Sequence, residues 1–174
     1  MRGDPMLPSI KKILYATDLS KNSAYAFRYA VKLADLADAK ITILYTLPLM
    51  DTAMIIPTIV QLGDDRYDKI REEQSRELIK NIKTRLKNFT ERELKKERST
   101  AGRVSAILVH EGDVVDEILT TAEHIDCDMI IMGAHGKGIL THTFLGTVPD
   151  KVLRRSRKPV LIVPIPRDAT DMDL

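Results

Sequence analysis

The stretch Asp128-Met129-Ile130-Ile131-Met132, followed by Gly133-Ala134-His135-Gly136, nine further residues and then Gly146-Thr147, decides the fold. A short apolar run that stops on glycine predicts a buried strand, ending where backbone amides can approach a ligand with no Cβ in the way. Gly146-Thr147 opens a helix, whose first N–H groups lack partners and whose dipole favours negative charge. Strand, glycine loop and helix mouth, in that order, make a phosphate cradle. Thr147 is expected at the N-cap, with Asp150 completing a capping-box-like Thr-Val-Pro-Asp start. Glycine spacing alone is weakly specific and equally suits an ordinary glycine-rich connection. The strand before it and the helix after it favour the cradle.

Working outward, strands and helices alternate. Ile10 to Ala16 reads as a first strand, apolar throughout as for a parallel strand covered on both faces. Ser20 can cap the helix that follows, in which Ala26, Phe27, Ala30, Val31, Leu33, Ala34 and Ala37 recur at helical spacing. Ile41 to Thr46 is a second strand. Leu47 to Gly63, with Pro48 and Pro57 among Met54, Ile55 and Ile56, reads as a long loop packing on the site or on a partner chain. Asp64 to about Lys96 predicts a long helix with Tyr67, Ile70, Leu78, Ile82, Leu86, Phe89 and Leu94 as one stripe, and Asp65/Lys69, Glu72/Arg76 and Glu91/Lys95 as favourable acid-before-base pairs. Val104 to His110 is the third strand, Asp113 to Ile125 a helix, Thr147 to about Ser156 the last helix, and Val160 to Val163 the fifth strand. This alternation predicts an α/β fold, a doubly wound five-stranded parallel sheet with helices on both faces. Ligands of such sheets bind beyond the carboxyl ends of the strands, where strand order reverses.

Composition sets the outer bounds. A chain of 174 residues with 44% hydrophobic and 30% charged residues is long enough for one core, expected over 10–166 between an N-terminal extension, 1–9, and a polar tail, 167–174. A net charge of +2 gives no argument for nucleic acid as a partner, and Lys95, Lys96 and Arg98 read as a solvated face. No apolar run has the length of a membrane span, and Met1 to Ser9 lacks a signal-peptide core, so the expected address is cytoplasmic. The single cysteine, Cys127, adjoins an apolar strand and reads as a buried, inert thiol.

Gly133-x-x-Gly136, nine residues, Gly146-Thr147 and, eleven residues on, Lys158-Pro159-Val160-Leu161-Ile162-Val163-Pro164 resemble the ATP-binding signature of the universal stress protein family. Lys12-Ile13-Leu14-Tyr15-Ala16-Thr17-Asp18-Leu19-Ser20 is similar to that family's opening strand, and Glu111 to Ile118 to its third strand–helix junction. The resemblance implies an adenine nucleotide alpha hydrolase-like sheet in the order 3-2-1-4-5, with the switch point between the first and fourth strands. It implies nucleotide contacts from Ala16 and Asp18 at the adenine side, Thr46 beside the base, and Met132, Gly133, His135, Gly136, Gly146, Thr147 and Val148 around ribose and phosphates. Gly146, Thr147 and Val148 are expected to supply N–H donors where Pro149 has none. The implied cofactor is ATP, with Mg²⁺ or Mn²⁺ held by phosphates and water rather than by a protein cage. The implied partner is a second copy of the chain, joined through Val160 to Val163.

Alternatives stay open at several of these residues. An aspartate after a strand also caps a turn, so Asp18 has a plain reading. His135 and His142 share the loop but lack a third metal ligand, and Lys137 suits either a phosphate or solvent. Neither Gly-x-Gly-x-x-Gly nor a Walker loop occurs, and no Ser/His/Asp or Cys/His arrangement stands out. The expectation is a nucleotide-dependent stress-response or regulatory protein with no catalytic residues beyond slow ATP hydrolysis. The alternatives are an ATP-dependent transferase or hydrolase of the same fold, and a nucleotide-free dimeric interaction module.

Overall fold

The computed structural model describes residues 8–48, 64–96, 102–136 and 145–166, and for 64–71 and 96 the backbone only. The elements run β1 (Lys12–Ala16), α1 (Lys21–Ala37), β2 (Lys40–Leu47), α2 (Asp64–Lys96), β3 (Val104–Glu111), α3 (Val114–His124), β4 (Met129–Gly133), α4 (Thr147–Arg155) and β5 (Val160–Val163). The sheet order is β3-β2-β1-β4-β5, and every pair is parallel. This is the expected order.

The apolar alternation of β1 explains the two layers. Ile13 and Tyr15 face a core built with Ala26, Phe27, Ala30 and Val31 of α1 and Ile82 and Leu86 of α2. Leu14 and Ala16 face the other core, with Val115 and Ile118 of α3 and Val152 of α4. A central strand buried on both faces therefore has no polar position after Lys12. β1 begins later than the sequence suggests, because the N–H groups of Lys11 and Lys12 donate to Asp128 Oδ2 at 2.6 and 2.7 Å. The Tyr15 hydroxyl donates to the Ser23 carbonyl at 2.5 Å, tying β1 to the first turn of α1, and burial pushes its pKa well above the usual phenol range.

Local signals at the helix ends act largely as expected. Ser20 is the N-cap of α1 and accepts from the Ser23 N–H. Asp113 caps α3 rather than belonging to it, accepting from Val115 and Asp116 at 2.9 and 3.0 Å. In α2 the predicted stripe needs correction. Leu78 is 47% exposed, and its neighbour Ile79 packs on the core with Phe89 and Leu94. The side chains of Tyr67, Ile70, Asp65 and Lys69 lie outside the described residues, as do those of Lys96 and Arg98. Glu72 and Arg76 pair at 3.0 Å as expected. A feature missed in the sequence docks this helix: Glu93, only 1% exposed, accepts from Arg28 of α1 at 3.0 Å. Cys127 is fully buried, and burial pushes its thiol pKa up, as suits an unreactive thiol.

Candidate functional site

Register brings three strand ends together. Ala16 lies opposite Leu44 of β2 on one side and Met132 of β4 on the other; β1 and β4 stop at Ala16 and Gly133, while β2 runs on beside β3 to Leu47. A cavity of about 370 Å³ opens there, within the range of about 300 to 1,000 Å³ common for small-molecule sites. All ten residues singled out from the sequence lie on its wall.

Its floor is apolar. Ala16, Leu44 and Met132 from the strands meet Val114 and Ile118 of α3 and Val148 of α4, a lining suited to a flat, weakly polar ring system. Thr46 adds a nearly buried hydroxyl to that end, and its Oγ1 has no hydrogen-bond partner among the described residues. Asp18 caps a turn, its Oδ1 accepting from the Ser20 N–H at 2.9 Å, and it also lines the cavity.

The glycine loop is held by side chains of the β1–α1 segment and by its own backbone. A Cβ on Gly133 would come within 3.2 Å of the Asn22 amide, and one on Gly136 within 3.0 Å of Asp18 Oδ2. The Asn22 Nδ2 group donates to the His135 carbonyl at 2.7 Å, pinning the loop to α1. A Cβ on Gly146 would stand 3.1 Å from the Ala134 carbonyl oxygen, which already accepts the Gly146 N–H at 2.9 Å. That bond corrects the expected donor set. Gly146 spends its N–H inside the protein, so the rim donors at the mouth of α4 are Thr147 and Val148, with Pro149 offering none.

The expected capping box is absent as well. Gly146, at φ −62° and ψ 155°, is the N-cap of α4, and no side chain among the described residues caps the helix. Thr147 is already inside the first turn, so its hydroxyl cannot reach back to the amides that an N-cap side chain serves. Asp150 instead accepts from Arg154 at 3.0 Å. The consequence favours binding, because Thr147 is exposed at the cavity rim with no capping bond of its own.

Ser23 and Asn22 were not singled out in the sequence, and Thr17 only as part of the opening-strand stretch. Thr17 Oγ1 and Ser23 Oγ lie 2.9 Å apart and close the wall between β1 and α1. Val114 and Ile118 could have been found, since they stand four apart on the face that α3 turns to the sheet. Lys137, His142 and 49–63 of the predicted loop lie outside the described residues. Among the described residues no group of three or more His, Cys, Asp or Glu side chains is placed to hold a metal.

The profile of the Universal stress protein family matches residues 9–164. Universal stress protein MJ0577 of Methanocaldococcus jannaschii is 32% identical over 153 residues, covering 88% of this chain and 94% of that protein. The solved structure of MJ0577 superposes with a TM-score of 0.70 at 27% identity, over 91% of this chain and 99% of the other. A universal stress protein crystallised in complex with cAMP shares the fold, with a TM-score of 0.53 at 22% identity, over 90% of this chain and 98% of that one. With its sheet order, its switch-point cavity and the family profile spanning both, the chain belongs to the universal stress protein family.

Proposed function

We propose that this chain is an ATP-binding regulatory protein of the cytoplasmic stress response, which hydrolyses ATP slowly at most. The observation that carries the proposal is the single cavity shared by the ends of β1, β2 and β4 and the N-terminus of α4, apolar at one end and rimmed by amides at the other. The adenine packs on Ala16, Thr46 and Met132, with Asp18 at its polar edge. Ribose and phosphates lie along Gly133, His135 and Gly136 toward Gly146, Thr147 and Val148. Thr147 and Val148 direct N–H groups at the phosphates, and the helix dipole adds to their field. A relative of the same fold holds cAMP, an adenine nucleotide, which supports the class of ligand. A Mg²⁺ or Mn²⁺ ion would ride on the phosphates and water, because the described residues offer it no cage.

The sequence carries no Ser/His/Asp or Cys/His arrangement that stands out, which supports a site that binds rather than turns over. The protein works as a homodimer joined through β5. Denaturing the purified protein and analysing the supernatant by mass spectrometry tests the proposal. Adenine nucleotide should be released. A site that stays empty under saturating ATP favours a nucleotide-free interaction module, and rapid ATP turnover on an acceptor favours a transferase.

A further inference from the structure

A second cavity, of about 190 Å³, lies between the first turn of α1 and the face of α2 that carries Arg85, Phe89 and Arg92. It shares Thr17 and Ser23 with the candidate nucleotide cavity but takes the rest of its wall from other residues. We propose that it binds a phosphate-type oxyanion, free or as a small phosphomonoester.

The carrying observation is the convergence of cations from two elements on one cavity. Lys21 comes from α1, whereas Arg85 and Arg92 come from α2, seven residues apart and on one face with Phe89 between them. The Arg92 guanidinium stands 5.9 Å from the centre of the Phe89 ring, at cation–π range, so the ring helps to hold it in place. Its carboxylate neighbour, Glu93, is 3.5 Å away through Oε1 and is already compensated through Oε2 by Arg28 at 3.0 Å. Among the described residues neither Arg85 nor Lys21 pairs with a carboxylate.

The remaining wall adds donors and no acid. The first turn of α1 contains no acidic residue, and the Ser20 carbonyl takes the N–H of Ala24. The N–H groups of Lys21 and Asn22, at the start of the helix, have no acceptor within it. Cations from two directions, with the first turn of α1 in the wall, suit a compact anion that accepts hydrogen bonds from several sides at once. Arg85 and Arg92 meet Lys21 across a cavity between α2 and the start of α1, which separates this place from an ordinary charged face.

Titration of the ¹⁵N-labelled full chain with inorganic phosphate, against chloride at matched ionic strength, tests the proposal. The backbone amides of Lys21 and Asn22 and the side-chain resonances of Arg85 and Arg92 should shift together and saturate. Arg85→Gln, at an exposed and unpaired position, should weaken the titration about tenfold while leaving the rest of the spectrum in place. Methyl phosphate separates the two sources: saturation of the same resonances means that an ester is accepted, and saturation by inorganic phosphate alone means the free ion. Shifts that never saturate, shifts confined to Gly133, Gly136, Thr147 and Val148, or an Arg85→Gln variant that binds as wild type would each overturn it. The titration is done without nucleotide, so failure of the nucleotide site does not decide it.

Discussion

Gly146 shows how one residue can be read correctly for a reason that is only partly right. Its place before a helix is legible from spacing, and its N–H was expected to serve a bound phosphate. That N–H instead donates to the Ala134 carbonyl oxygen, which would also stand only 3.1 Å from an added Cβ. Gly146→Ala should therefore destabilise the fold itself by about 1 to 3 kcal/mol, the usual cost of overpacking. Denaturant unfolding checks this, and stability equal to wild type would show that the loop has slack. Thr147→Ala touches no such contact and should leave stability nearly unchanged. The sequence carries the glycine pattern but not the Gly146–Ala134 hydrogen bond, because that bond depends on how the loop folds back on β4. The same holds for Asn22, whose amide meets His135 across 113 positions of sequence with no local pattern to mark it.

At the scale of elements, strands were easier to find than the face of the longest helix. β1 after Lys12 and the whole of β4 are apolar because both sides are covered, and a run of that kind has no competing reading once helices flank it. α2 is so charged that the stripe could be traced through Leu78 or through Ile79, and packing on α1 and β3 selects Ile79. The Arg28–Glu93 pair docks that helix on α1. Arg28→Met removes the 3.0 Å cationic partner of a carboxylate that is only 1% exposed and leaves Arg92 at 3.5 Å, so it should cost about 1 to 3 kcal/mol. This is below the usual range for a broken buried pair, because the Arg28 side chain is 22% exposed and Arg92 remains nearby. Urea unfolding gives the value, and an unchanged midpoint would show that apolar packing alone holds α2.

The strand order of the whole molecule was implied by the family resemblance, and alternation alone predicts only a parallel doubly wound sheet. Stability should fall on its acid side in a definite sense. Hydrogen bonds from Arg103 to Asp38 and from Lys158 to Asp126 hold both carboxyls below the usual range. A carboxyl with a lowered folded-state pKa contributes stability above its unfolded value, about pH 4, and loses that contribution as pH falls through the lowered value. Thermal melts at descending pH should show the loss, and Asp38→Asn should flatten it; a limb unchanged in that variant would assign the effect elsewhere. β5 ends the sheet on one side, with Val160, Leu161 and Ile162 half-buried along that edge. An apolar edge of this kind is usually covered, and Ile162→Lys should convert a dimer into a monomer by light scattering. A monomer in the wild type would remove that account of the edge. The central claim is that the cavity holds an adenine nucleotide with its phosphates at the glycine loop and the mouth of α4. Calorimetry with ATP, AMP and adenosine on wild type and Thr147→Ala tests it most directly. ATP should bind more tightly than adenosine, and Thr147→Ala should weaken ATP about 10- to 150-fold through the loss of one charge-assisted hydrogen bond. Equal affinity for ATP and adenosine, with no loss in Thr147→Ala, would contradict it.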